Sequence, residues 1–213
     1  MDIAEGQRND APLALPVLRE AKAALGRIDE VLGDKGFDSD EIRGACLEEL
    51  DALPPELAPR EVDFDADLPA GEIHVMPDEF ALYFTLEGGR AIRYSCGIGK
   101  EGLYEAGTFV MQYKEEWPTW TPTPDMVERD PDKYGKYAEG GMPGGPDNPL
   151  GARALYLFTA DDEDTYLRIH GTNEPDTIGQ AVSNGCARLV NHDIADLYDH
   201  VAEGAKVVLH PQA

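Results

Sequence analysis

Basic residues are scarce in this sequence: 18 Lys and Arg stand against 42 Asp and Glu in 213 residues, a formal charge of −24 at pH 7. Such a surface repels phosphate backbones and anionic headgroups, which argues against nucleic acid or membrane surfaces as partners. Cysteine is scarcer still, with only Cys46, Cys96 and Cys186. An odd count leaves at least one thiol unpaired within a chain, so the pattern is not that of a disulfide framework. Close metal-ligand pairs such as Cys-x-x-Cys or His-x-x-x-His are missing, and His192 and His200 lie eight positions apart, so neither a metal nor another cofactor is expected. No stretch reaches the ~18 apolar residues of a membrane span. The opening Met1-Asp2-Ile3-Ala4 lacks the basic and apolar regions of a signal peptide. The expectation is therefore that the chain stays in the cytoplasm or that an export signal has been removed.

What is present reads as a folded protein, with 42% hydrophobic and 28% charged residues. Leu18, Ala21, Leu25, Ile28 and Leu32 recur at helical spacing, and Asp38 with Glu41 has the spacing of a capping box ahead of Ile42, Cys46 and Leu50. These predict a helical hairpin. An acidic, proline-marked connector follows over 56–69, so the division expected is residues 1–69, a helical segment with linker, and 70–213, a mainly β domain. Strands are expected at 72–76, 80–86, 91–97, 108–113, 154–159, 166–170 and 206–210, where β-branched and aromatic residues gather. A long stretch rich in Pro and Gly, 117–151, reads as a functional loop that covers part of a cleft. One late helix carries Ile194, Leu197 and Val201 on one face, with Asn191 as its expected cap.

The chemistry concentrates between Ile169 and Asn191. A thiol is mostly protonated at neutral pH and needs an imidazole to take its proton. His170, at the end of an expected strand, can be that base for Cys186, and the turn His170-Gly171-Thr172 offers the Gly171 carbonyl to hold the ring. Gly185 leaves the backbone open to substrate, so the Gly185 and Cys186 N–H groups are expected to face a developing oxyanion. Ser183 and Asn184 are expected to brace the loop by local hydrogen bonds. Arg188 is a candidate for a substrate carboxylate or a structural brace, and Trp117, Trp120, Tyr134 and Tyr156 are candidates to line the cleft, with ordinary core packing the alternative for each.

His170, followed by Ser183-Asn184-Gly185-Cys186-Ala187-Arg188, closely resembles the signature of the L,D-transpeptidase catalytic domain, also called the YkuD domain. The likeness extends upstream through the segment from Pro118 to Met126, the segment from Gly145 to Tyr156, and Gly107-Thr108-Phe109, and so covers roughly residues 70–211. One position departs from the family pattern: Asn184 stands where a second His is usual, and an amide cannot serve as a base. The resemblance implies a β-sandwich with a short C-terminal helix, α+β overall once the N-terminal helices are counted. It also implies that Cys186 attacks a stem tetrapeptide of peptidoglycan, releases D-Ala, and passes the acyl group to an amine. That amine is a diaminopimelate side chain, giving a 3-3 cross-link, or a lipoprotein lysine. Two alternatives remain at this point: a carboxypeptidase or amide hydrolase that uses water instead, and a cell-wall binding module without activity.

Overall fold

The computed structural model describes residues 53–213. The helices expected over 18–32 and 38–50 lie outside the described residues. What is described is mainly β, as expected. Its strands are β1 (Arg60–Asp63), β2 (Ile73–Met76), β3 (Ala81–Leu86), β4 (Arg90–Ser95), β5 (Ile98–Gly99), β6 (Gly107–Glu116), β7 (Arg153–Phe158), β8 (Asp164–His170), β9 (Ala181–Ser183), β10 (Ala187–Arg188) and β11 (Lys206–Leu209). Nine form one sheet in the order β1-β4-β3-β2-β11-β6-β7-β8-β10, and β5 pairs with β9 beside it. The last strand is the hinge of this arrangement. β11 lies parallel to β2 and antiparallel to β6, so it joins the early meander to the later one.

Ile73, Leu82 and Tyr94 from one half of the sheet share a single buried cluster with Leu155, Leu157 and Ile169 from the other. Strands far apart in the order can share a core only if the sheet folds over on itself. Register shifts in β6 between Met111 and Tyr113, and in β7 between Tyr156 and Phe158, supply the bending that such closure needs. Two short helices, α1 (Pro124–Arg129) and α2 (Pro131–Tyr134), precede helix α3 (Asn191–His200), which closes the cluster with Ile194 and Leu197.

Three expectations need correction. The stretch read as a connector contains β1, which pairs antiparallel with β4 at the sheet edge. Its charges suit an edge strand, where Arg90 meets Glu61 at 2.7 Å, and they masked the strand signal. Phe80 does not begin β3, because its φ of 48° closes the short turn Pro77–Glu79. Finally, the segment 117–151 has structure of its own. Thr123 accepts the Met126 N–H at 3.3 Å to start α1, and Asp130 accepts the Lys133 N–H at 3.1 Å to start α2. Pro124 and Pro131 are first-turn prolines, so residues read as loop punctuation are helix starts. The segment is pinned from inside by Asn148, which donates to the carbonyls of Pro118 and Pro143 at 3.0 Å each.

Candidate active site

His170 ends β8 and Arg188 ends β10, and the two pair directly in a parallel register that also sets Ala187 against Ile169. Side chains alternate along a strand. Ile169 and Ala187 belong to the core, so His170 and, one residue before β10, Cys186 share the opposite face. Parallel pairing thus unites two residues sixteen positions apart in the chain.

His170 is only 5% exposed, and its ring Nδ1 lies 2.6 Å from the Gly171 carbonyl oxygen. A carbonyl can only accept, so the proton belongs on Nδ1 and Nε2 keeps its lone pair. Burial holds the imidazole down to a pKa of about 4; the Gly171 bond opposes this, while the Arg188 and Arg168 charges add to it. At neutral pH the ring is an uncharged base. Cys186 is half-buried, with Sγ 4.0 Å from the Tyr166 carbonyl oxygen. Burial pushes its thiol up, and the Arg168 backbone N–H with the Arg168 and Arg188 charges pulls the other way. The resting pair is therefore thiol and neutral imidazole. Cys96 differs: it is fully buried in the core and pushed up to about 12.

Ahead of Cys186, Ser183 Oγ donates to the Cys186 carbonyl at 2.6 Å and accepts the Gly185 N–H at 3.2 Å. The Gly185 N–H, expected to face an oxyanion, is engaged by Ser183 here. Gly185 itself has φ 125°, and a Cβ there would lie 2.9 Å from the Leu103 carbonyl oxygen, so the close approach of this loop to Leu103 requires glycine. Asn184 does not brace its own loop. It is exposed, and its Oδ1 accepts from Arg129 Nη2 at 3.0 Å, tying the end of α1 to the residue two before Cys186.

The remaining expected residues are placed less directly. Arg188 is turned inward, donating to Thr177 Oγ1 at 2.9 Å and meeting the Glu174 carboxylate at 3.4 Å, so its guanidinium braces the turn Pro175–Thr177. Tyr156 is a platform more than a cleft wall: it is buried, stacked on Tyr113 at 4.2 Å, and covered by the Arg168 guanidinium at 4.3 Å. Trp120 is half-buried and meets Tyr134 and Tyr137 edge-on at 6.0 and 5.8 Å within the 117–151 segment. Among the described residues, no group of three His, Cys, Asp or Glu side chains is arranged to hold a metal ion.

Asn191 departs furthest from its expected role. It does not cap α3, whose N-cap is Val190. Its Oδ1 accepts from Ala152 N–H at 2.9 Å and Thr172 N–H at 3.3 Å, and its Nδ2 donates to the Thr172 carbonyl at 2.9 Å. A Cβ on Gly151 or Gly171 would fall 2.1 or 2.3 Å from that Oδ1, so both glycines exist to admit it. Asn191 therefore stitches the end of the 117–151 segment to the turn that anchors His170. Nothing in local spacing distinguishes this role from an ordinary cap.

A folded-over β-sheet that sets a thiol and an uncharged imidazole on one face of adjacent strands has the layout needed for acyl transfer through sulfur. Comparison with known proteins then supplies the family. The L,D-transpeptidase catalytic domain (YkuD) matches residues 70–209, and the chain belongs to that family. It is 37% identical over 137 residues to a probable L,D-transpeptidase ErfK/SrfK of Escherichia coli, a match covering 63% of this chain and 42% of that protein. A putative L,D-transpeptidase of Fuscovulum blasticum is 37% identical over 127 residues, covering 59% of this chain and 61% of that one. A solved structure from Brucella melitensis, described as a probable carnitine operon oxidoreductase, is 46% identical with a TM-score of 0.52, covering 73% of this chain and 95% of that one. The chain spans less than half the length of the first of these transpeptidase relatives and less than two thirds of the second.

Proposed function

We propose that the protein is an L,D-transpeptidase that acts on peptidoglycan stem tetrapeptides through a Cys186 thioester. The observation that carries the reading is the His170 ring, uncharged and fixed by Gly171, on the face it shares with Cys186 in a chain of this family. Nε2 takes the Cys186 proton as Sγ adds to the carbonyl between the L-centre and D-Ala. The oxyanion falls to the Cys186 N–H, since Ser183 occupies that of Gly185. His170 returns the proton to the departing D-Ala amine, leaving a thioester. An acceptor amine, on a neighbouring stem or a lipoprotein lysine, then attacks this carbonyl and gives its proton to His170; the sulfur leaves and is reprotonated. Such a substrate places the enzyme's work in the periplasm or at the cell wall. Among the described residues no helix is long and apolar enough to cross a membrane.

The oxidoreductase description of the Brucella melitensis protein is not carried over, because a thiol beside an imidazole base speaks for acyl transfer and is silent on electron transfer. Incubation of the reduced protein with disaccharide-tetrapeptide, followed by mass spectrometry, tests the proposal. Loss of D-Ala with a 3-3 linked dimer is the expected result. Loss of D-Ala to free tripeptide alone would make the enzyme a carboxypeptidase, and unchanged tetrapeptide would overturn the acyl-transfer reading.

A further inference from the structure

Resting on that reading, we infer that Tyr166 is a substrate-contact residue, an aromatic surface held beside the nucleophile for the stem peptide to lie against. Two independent observations meet at this residue. Tyr166 is the one large hydrophobic side chain that stands out as exposed among the described residues, at 68%. It is also one of four described non-glycine residues with positive φ, at 60°. Folding hides aromatic rings where it can, and a side chain beyond Cβ disfavours this backbone region. Exposure and strain at the same residue both work against stability, and such combinations persist where the surroundings impose them for function.

The surroundings do impose it. Asp164 Oδ1 accepts the Tyr166 backbone N–H at 2.8 Å, and the same carboxylate receives two bonds from the Arg168 guanidinium at 2.7 and 2.8 Å. Arg168 in turn rests on the buried Tyr156 ring, whose hydroxyl donates to Glu115 at 2.6 Å. The corner Asp164–Tyr166–Arg168 is thus built upon a packed platform. It lies where β8 passes the nucleophile, with the Tyr166 carbonyl oxygen 4.0 Å from Cys186 Sγ. An acyl donor seated on that sulfur lies within one side chain's reach of Tyr166. The occupant argued for is the peptide stem, since an exposed ring offers an uncharged face to a small, amide-rich chain while the rest of this acidic protein offers mostly carboxylates.

The experiment compares wild type with Tyr166→Gly and Tyr166→Phe in the full chain. Glycine relieves the backbone and removes the exposed ring, so its Tm should equal or exceed that of the wild type. The Cys186 alkylation rate with iodoacetamide should stay within about two-fold, because sulfur and base are untouched. KM for disaccharide-tetrapeptide should rise about ten-fold with a smaller change in kcat, and Tyr166→Phe should recover most of that loss. An unchanged KM in a stable Tyr166→Gly protein would overturn the inference while leaving the transpeptidase reading intact. Peptide turnover and alkylation falling in the same proportion would also overturn it, since the residue would then act through the thiol. No turnover by the wild type overturns both readings at once.

Discussion

Between β8 and β10 the polar links turn inward. His170 is held by Gly171, Ser183 closes a three-residue loop onto Cys186, and Asn191 threads its amide between two glycines. The 117–151 segment next to it is held differently. Its interior is pinned by Asn148, and it reaches the neighbouring residues through Arg129, which donates to the exposed Asn184, and through the Asp147 carbonyl, which accepts from Asn173. Buried links to backbone groups fix geometry because each broken one leaves an unsatisfied polar atom, at a cost of roughly 1–3 kcal/mol. Exposed links between side chains are worth about 1 kcal/mol or less and are easily exchanged for water. Changes in the seam should therefore strike the rate of bond-making, and changes in the segment should strike the capture of substrate.

The sharpest break is at the nucleophile. Cys186→Ser should lower turnover by about 10⁴-fold or more while preserving the fold, whereas Cys96→Ser should keep most of the activity because its thiol is buried in the core. Comparable turnover of Cys186→Ser and wild type would end the sulfur mechanism. His170→Ala comes next, with an expected loss of about 10²–10⁴-fold in single-turnover acylation. Because His170 loses its basicity only below a pKa of about 4, the wild-type acylation rate should hold steady from neutral pH downward until that value is approached. A limb near 6.5 would mean that the ring is not the buried one described.

The same residue links pH to stability. The folded pKa of about 4 lies below the ordinary 6.5, so the unfolded chain binds the proton more tightly. The contribution of neutral His170 is complete above 6.5 and is lost as pH falls through about 4. Urea unfolding at pH 4.5 should accordingly show a loss on the order of 2 kcal/mol, relative to pH 7, that His170→Phe does not share. Equal pH dependence in the two proteins would contradict the assigned burial.

Asn191→Ala sharpens the comparison within the seam. Freed from its stitch, the Gly171 turn can shift, and a displacement of about 1 Å costs up to 10²-fold in rate. The loss should appear in kcat and not KM, and Asn191→Asp, which keeps the two accepted bonds and loses the donated one, should recover part of it. A lowered Tm with unchanged kcat per folded molecule would make Asn191 structural only.

These residues also mark how far the sequence could be read. The contact between His170 and the Gly171 carbonyl was legible because a ring at a strand end finds its nearest acceptor in the turn that follows. Most long strands were legible because burial enforces their pattern. β1 was hidden by edge charges, and β5, β9 and β10 are too short to carry a period. Asn191, Arg168 and Tyr166 were not legible because their roles depend on which strands become neighbours. Parallel pairing of β8 with β10 is a long-range fact that no local window contains.

The smallest effect is expected at Arg129, and it tests the segment's side of the comparison. Arg129 is exposed and ends a short helix anchored by the buried Met126, so its guanidinium reaches Asn184 from a fixed base with a flexible arm. Removing it costs no buried partner, so Arg129→Ala should leave Tm unchanged within error. A stem peptide carries carboxylates, and a chain of charge −24 offers them few cations. Loss of this one should raise KM by about three-fold at low salt, and the difference should fade as ionic strength rises and the Debye length shrinks to about 8 Å at 0.15 M. Asn184→Ala removes the acceptor but leaves the charge, so its KM should stay closer to wild type, and the double variant should match Arg129→Ala. If Asn184→Ala instead reduced kcat as severely as Asn191→Ala, the exposed bond would belong to the catalytic seam after all, and the division between the two regions would fail at the residue where they meet.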